Sequence, residues 1–188
     1  MEVKELSLPA RRKDVGWLKA GDLLFLTGEV VTARDQAHLR MLDLLSRGKG
    51  LPVDLTDGAL YHCGPVVKRE GKGWRVLSAG PTTSSRVDPL LPRLLPRLGV
   101  RAVIGKGGVG EETKKVMKEK GCVYLAFPGG CGALAARAVE EVKEVHWLEL
   151  GLPEAMWVLE VRGFGPLVVA VDSRGRDLYE EVRRRMGT

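Results

Sequence analysis

Apolar residues along this chain follow two periods, and the switches between them outline its architecture. The run Leu23-Leu24-Phe25-Leu26-Thr27-Gly28-Glu29-Val30-Val31 is too continuous for an amphipathic helix and reads as a buried strand leading into a loop. Thr32 or Asp35 can then start a helix whose apolar face carries Ala37, Met41, Leu44 and Leu45, with Gly48 and Gly50 ending it. A strand over residues 59–67, interrupted near Gly64, precedes a Gly71-Lys72-Gly73 turn and a short strand over 74–77. Residues 89–98 predict a short helix broken by its prolines. Next, 100–104 reads as a strand feeding Gly105-Lys106-Gly107-Gly108, with a helix over 111–119. Residues 122–126 repeat the pattern, running through Pro128-Gly129-Gly130 into an alanine-rich helix that reaches about Val142. Strand-like runs at 156–161 and 167–171 lead to a terminal helix over about 176–186, and residues 1–22 read as an N-terminal arm and turn.

Hairpin-like strands in the first third, then repeated strand, glycine loop and helix, predict a mixed layered α/β domain spanning residues 1–188. No internal repeat or low-complexity linker divides it. Hydrophobic residues make up 44% of the 188 positions but aromatics only 5%, so the core must rest on Leu, Val and Ala. The net charge of +6 comes from basic residues interspersed with acidic ones, and no aromatic platforms accompany them, which argues against nucleic acid. Arg183-Arg184-Arg185, beside Glu180 and Glu181, reads as a solvated helix face. No apolar run is long enough to span a bilayer, and the N-terminus lacks the apolar centre of a signal peptide. Cys63, Cys122 and Cys131 have neither paired nor zinc-type spacing, so the expectation is a cytoplasmic protein with packed thiols and no metal site of its own.

Gly80-Pro81-Thr82-Thr83-Ser84-Ser85-Arg86-Val87-Asp88 carries the most concentrated chemistry. Gly80 permits close approach and Pro81 stiffens the turn. Thr82, Thr83 and Ser84 offer hydroxyls, the backbone N–H groups can form an anion nest, and Arg86 adds a fork suited to a carboxylate. The same residues also fit a well-capped turn in which Arg86 pairs with Asp88. Arg34 falls at a strand-to-helix junction, where it can hold a carboxylate while Asp35 orients either Arg34 or His38. A capped helix with a packed His38 fits as well. His62 and Cys63 are adjacent and should diverge, which speaks against a nucleophilic pair. Gly105–Gly108 lacks the spacing of a P-loop or dinucleotide fingerprint, yet Lys106 can serve as a point charge there. Gly129, Gly130 and Gly132 open a predicted helix, with tight packing and ligand contact equally open for each glycine loop. The cations and neutral donors suit a small dicarboxylate, but an unassisted threonine is a poor base and nothing here helps a hydroxyl depart.

Five segments, in order along the chain, resemble the beta subunit, or C-terminal domain, of class I iron–sulfur fumarate hydratases and L(+)-tartrate dehydratases. They are TARDQAH at 32–38, DGALYHCGP at 57–65, GPTTSSRVD at 80–88, GKGG at 105–108 and GGCGAL at 129–134. The resemblance implies a swivelling β/β/α layered domain with a mixed central sheet, and an active site shared with an alpha subunit. That partner would carry a four-iron four-sulfur cluster, with no metal ligand on this chain. It further implies Thr82 as catalytic base and Arg34, Arg86 and Lys106 as substrate contacts; Asp35, His38, Thr83, Ser84 and Gly130 are candidate supporting residues from their place in the same segments. Val87 stands where the family pattern has Met, and Gly132 where Ala is common, a change expected to affect clearance in that loop. The leading expectation is interconversion of fumarate and L-malate within an alpha–beta complex, or a dimer of such units. The alternatives are L(+)-tartrate dehydration to oxaloacetate and a non-catalytic dicarboxylate-binding module. Alone, the chain should be inactive, with homodimer formation open to it.

Overall fold

The apolar runs become parallel strands whose carboxyl ends lie along one edge. The computed structural model describes residues 3–187. Strand β1 (Val3–Ser7) is followed by a single helical turn, α1 (Arg12–Val15), and by β2 (Leu23–Ala33), which runs parallel to β1. The predicted N-terminal arm is therefore a strand at the sheet's edge. Only its Leu6 is buried, so it lacks a legible apolar period, and an ion pair from Lys4 to Asp22 helps to hold it. Helix α2 (Asp35–Ser46) follows β2 directly and buries Ala37, His38 and Met41. Then come β3 (Ala59–His62) and a separate hairpin of β4 (Val66–Glu70) and β5 (Gly73–Ser78). Two 3-10 turns, Ser84–Arg86 and Asp88–Leu90, lead into α3 (Leu91–Leu98). That helix is continuous despite its prolines. Pro92 sits in the first turn, where no N–H is needed, and burial of Leu91, Leu94, Leu95 and Leu98 on one face offsets Pro96.

The remaining elements are β6 (Ala102–Gly105), α4 (Glu111–Lys120), β7 (Val123–Ala126), α5 (Gly132–Arg137), β8 (Val139–His146), β9 (Met156–Val171) and α6 (Leu178–Met186). The alanine-rich helix thus ends at Arg137 and does not reach Val142. Val139, Val142 and Val145 imitate a helical period of three. In β8 they reach one face because the pairing with β9 shifts register between Val139 and Glu141 and again between Val142 and Glu144. The two strand-like runs after residue 155 are one bent strand, β9.

The main sheet has the order β1-β2-β3-β6-β7-β9-β8, with β2, β3, β6 and β7 parallel. β9 runs antiparallel to β7 and also to β2, so the sheet curls back on itself as a partial barrel. Strand alternation divides the core in two. Leu60, Val103 and Tyr124 face α2, α3 and α4 on one side. Tyr61, Ile104, Leu125, Trp157 and Phe164 face the other, where the β4–β5 hairpin and α5 cover them. The architecture is the expected layered α/β domain around a mixed sheet.

One polar group of side chains lies inside these layers. Ser84 Oγ is 2.8 Å from His62 Nδ1 and 2.8 Å from Tyr124 OH, and all three residues are buried. His38 meets His62 edge-on, with ring centroids 5.0 Å apart. Its Nδ1 lies 2.8 Å from the Arg34 carbonyl, which can only accept, so the ring is the Nδ1–H tautomer. Burial holds the His38 pKa down at about 4 and that of His62 well below the ordinary imidazole value, with the neighbouring His38 adding to the second shift. Both rings are neutral in the fold, whereas the unfolded chain takes up protons near 6.5. Stability is therefore complete above pH 6.5 and is lost as pH falls toward 4, by about 3 kcal/mol for His38 alone. Urea midpoints measured from pH 7.5 down to 4.5 should fall accordingly, and less steeply for His38→Asn. Equal midpoints across that range would contradict the buried neutral pair.

Candidate active site

Four parallel strands end together, and each hands its chain to a segment with polar chemistry. Arg34 follows β2, Gly64 lies just beyond β3, Lys106 follows β6, and Gly129 and Gly130 follow β7. The carboxyl ends of parallel strands are where such sheets present ligand groups. The 80–88 segment docks across the middle of this row. Thr82 N donates to the His62 carbonyl at 2.6 Å, and Ser84 N donates to the Lys106 carbonyl at 3.0 Å. Pro81 bridges to Cys63 and Thr83 to Lys106, so this turn spans the ends of β3 and β6.

That docking brings together the two predicted guanidiniums. Arg86 Nη2 donates to Asp35 Oδ2 at 2.8 Å, while Arg34 Nε lies 3.6 Å from the same oxygen. Arg86 therefore reaches across to α2 and does not pair with Asp88. Asp88 Oδ1 instead accepts from the Gly110 backbone N–H at 2.9 Å. Asp35 orients the two arginines and not His38, which turns into the core toward the Arg34 carbonyl. A carboxylate absent from the sequence reading, Glu154, completes the cluster. Its Oε1 lies 3.3 Å from Arg34 Nε and its Oε2 accepts from Gln36 N at 2.8 Å, at the start of α2. Arg34 Nε itself is buried without a hydrogen bond, held by charge and short of full hydrogen-bond geometry.

Glycines set the clearances. A Cβ on Gly64 would collide with the Pro153 carbonyl and stand 2.8 Å from Arg34 Cδ, so only glycine lets Arg34 lie there. A Cβ on Gly132 would collide with Ser78 Oγ and come within 3.0 Å of Gly80 N. With Ser78 in place, glycine rather than alanine at 132 is a packing requirement. Lys106 lies along Gly129, whose Cβ would stand 3.7 Å from Nζ. Gly130, with φ of +83°, has open space where a side chain would go. Among the described residues Lys106 forms no ion pair, whereas Asp35 and Glu154 answer the two arginines. The uncompensated positive charge of this wall thus belongs to Lys106.

The other predicted residues divide between surface and core. Thr82 and Thr83 are half-buried at the edge, while Ser84 points inward to His62 and Tyr124. Cys63 faces the core opposite His62, as alternation along β3 requires. The helix after Gly130 is a mere six residues long, too short to provide a helical dipole site. Cys63 and Cys122 lie in the two separate cores, and burial pushes both thiols up to about 12. Among the described residues no three His, Cys, Asp or Glu side chains converge, so this chain's own donors do not fit an iron–sulfur cluster. Among the described residues no helix is long and apolar enough to cross a membrane.

Glu154 carried no local signal, being held to Gln36 across 118 positions of sequence by a turn that the Trp157 indole N–H anchors at the Leu152 carbonyl, 2.9 Å away. His62 and Tyr124 gave a weak one, as polar residues within otherwise apolar strands.

Comparison with known proteins gives this wall a context. The sequence profile described as Fumarase C-terminus matches residues 1–182. A Methanocaldococcus jannaschii protein provisionally named L(+)-tartrate dehydratase subunit beta is 46% identical over 176 residues, covering 93% of this chain and 90% of its own length. The L(+)-tartrate dehydratase subunit beta of Escherichia coli K12 is 40% identical over 181 residues, covering 96% of this chain and 89% of its own. A Geobacillus stearothermophilus protein provisionally named fumarate hydratase class I is 41% identical over 180 residues, 95% of this chain but 34% of that protein. Since the profile spans residues 1–182 and relatives 40–46% identical match more than nine-tenths of the chain, the chain belongs to the fumarase C-terminus family, the beta subunit or C-terminal domain of class I iron–sulfur hydro-lyases.

Proposed function

We propose that the chain is the beta subunit of a two-subunit hydro-lyase that removes water from L(+)-tartrate. The observation that carries the substrate class is Asp35. Its carboxylate sits against Arg86 and beside Arg34, which marks the space between these guanidiniums as one that suits a carboxylate. Each guanidinium has five N–H donors, so donors are left for a ligand. Lys106 supplies the unpaired charge for a dianion. Tartrate stands ahead of fumarate and malate, reversing the order expected from the motifs alone. The relatives at 46% and 40% identity, matched over 90% and 89% of their own lengths, are named for tartrate, whereas the fumarate hydratase relative is matched over 34% of its length. That relative, at a comparable 41% identity, keeps fumarate hydratase as the second reading.

In this reading Arg34 and Arg86 hold one carboxylate and Lys106 the other, fixing the substrate carbon beside Thr82. Thr82 removes the carbon-bound proton together with an acidic residue of the partner, and the hydroxyl on the adjacent carbon leaves as water. From tartrate this gives the enol of oxaloacetate, which becomes the ketone by moving its hydroxyl proton to carbon. A four-iron four-sulfur cluster on the alpha subunit would supply Lewis-acid help for the departing hydroxyl, and no residue of this chain is assigned to it.

Anaerobic co-expression with a candidate cluster-bearing alpha subunit, followed by parallel assays, tests the reading. L(+)-tartrate should be turned over with a higher kcat/KM than L-malate or fumarate. The reverse preference would select the second reading, and a stable complex inactive on all three would support a binding module. Thr82→Ala should lower kcat by about 10²–10⁴-fold while the complex still assembles. Unchanged turnover would remove Thr82 as the base. Arg34→Lys, which keeps the charge but loses the fork, should raise KM by about tenfold or more. An unchanged KM would take Arg34 out of the clamp.

A further inference from the structure

Behind the wall runs the polar group that the proposed chemistry leaves unused. Ser84 draws together the end of β3 through His62, the 3-10 turn that carries Arg86, and β7 through Tyr124. Gly105 is what allows them to meet. A Cβ there would collide with Ser84 Oγ and stand 3.1 Å from Tyr124 OH and 3.2 Å from His62 Nδ1. The chain thus gives up a side chain on β6 to admit a buried hydroxyl with two partners.

The backbone bonds at Thr82 and Ser84 fix where the segment crosses the strand ends. Beyond the crossing Val87 is buried and Asp88 accepts from the Gly110 N–H, so the 84–86 turn is held on its far side too, and Ser84 is its inward side-chain anchor. A buried hydroxyl bonded on two sides resists any tilt of the turn, because turning Ser84 outward would strand His62 and Tyr124 without partners. Thr82 lies two residues before this anchor and Arg86 two residues after it. We propose that His62 and Tyr124, acting through Ser84, are positioning residues that aim Thr82 and Arg86 at the dicarboxylate. This rests on the hydro-lyase reading for its consequence, though not for its geometry.

Asn and Leu at position 62 separate positioning from packing. The two side chains have nearly the same shape, but Asn keeps a polar atom near the place of the imidazole Nδ1 and Leu does not. In the two-subunit complex, His62→Leu and Ser84→Ala should raise KM for the dicarboxylate by about tenfold, the cost of one buried hydrogen bond, and His62→Asn should recover most of it. In the 188-residue chain, hydrogen exchange at the Ser84 and Val87 amides should quicken about tenfold in His62→Leu, with Val103 and Leu125 unmoved. Equal behaviour of the Asn and Leu variants would overturn the proposal, as would faster exchange spread evenly through β6 and β7. A parent complex that turns over neither tartrate nor malate would sink the hydro-lyase reading alone. The exchange comparison would still decide the positioning role.

Discussion

The whole edge depends on backbone groups that the sheet leaves unpaired where β3 and β6 end. A parallel strand finishes with a carbonyl that its neighbours cannot satisfy, and burying such a group unpaired costs about 1–3 kcal/mol. Here the Thr82 and Ser84 amides take the carbonyls of His62 and Lys106. One short segment thereby closes two strand ends, and the order β2-β3-β6-β7 decides what else it meets. Arg34 lies one strand away on one side and the Gly129 loop one strand away on the other.

Once docked, the segment has two faces with opposite chemistry. Ser84 points into the layers, where it bonds to neutral His62 and to Tyr124, whose hydroxyl burial holds in its protonated form. Thr82 and Arg86 point toward the edge, where charges are only partly matched. The carboxylates of Asp35 and Glu154 keep two guanidiniums close to each other, which like charges would otherwise oppose. Asp35 is thus a tether for Arg86 and, in the proposed function, a competitor for the ligand carboxylate. The wall is preorganised but modest in net charge.

Local sequence was informative where one residue's neighbours decide its fate. The parallel strands followed from continuous apolar runs and α2 from its cap and apolar period, and the site segments followed from clusters of glycine, threonine and arginine. Where distant pairing decides, the pattern misled. The valines of β8 look helical until two register shifts against β9 bring them to one face, and β1 gains its structure from β2 rather than from its own residues. The same limit hid Glu154, which reaches Arg34 only because β9 folds back against β2. Arg86 likewise found Asp35 across 51 positions and not Asp88 two residues away. The resemblance to class I hydro-lyases singled out Arg34, Thr82, Arg86 and Lys106, which the fold brings to one edge of the sheet. The physical structure adds which polar residues face the edge and which, like Ser84 and His38, face the core.

A crystal structure of the two-subunit complex with L(+)-tartrate bound would test the central claim most directly. The account predicts a ligand carboxylate oxygen within hydrogen-bonding distance of both Arg34 and Arg86, with the Arg86–Asp35 contact lengthened or shared and Thr82 Oγ beside the carbon that loses its proton. Tartrate bound away from these guanidiniums, with the Arg86–Asp35 pair undisturbed, would contradict it.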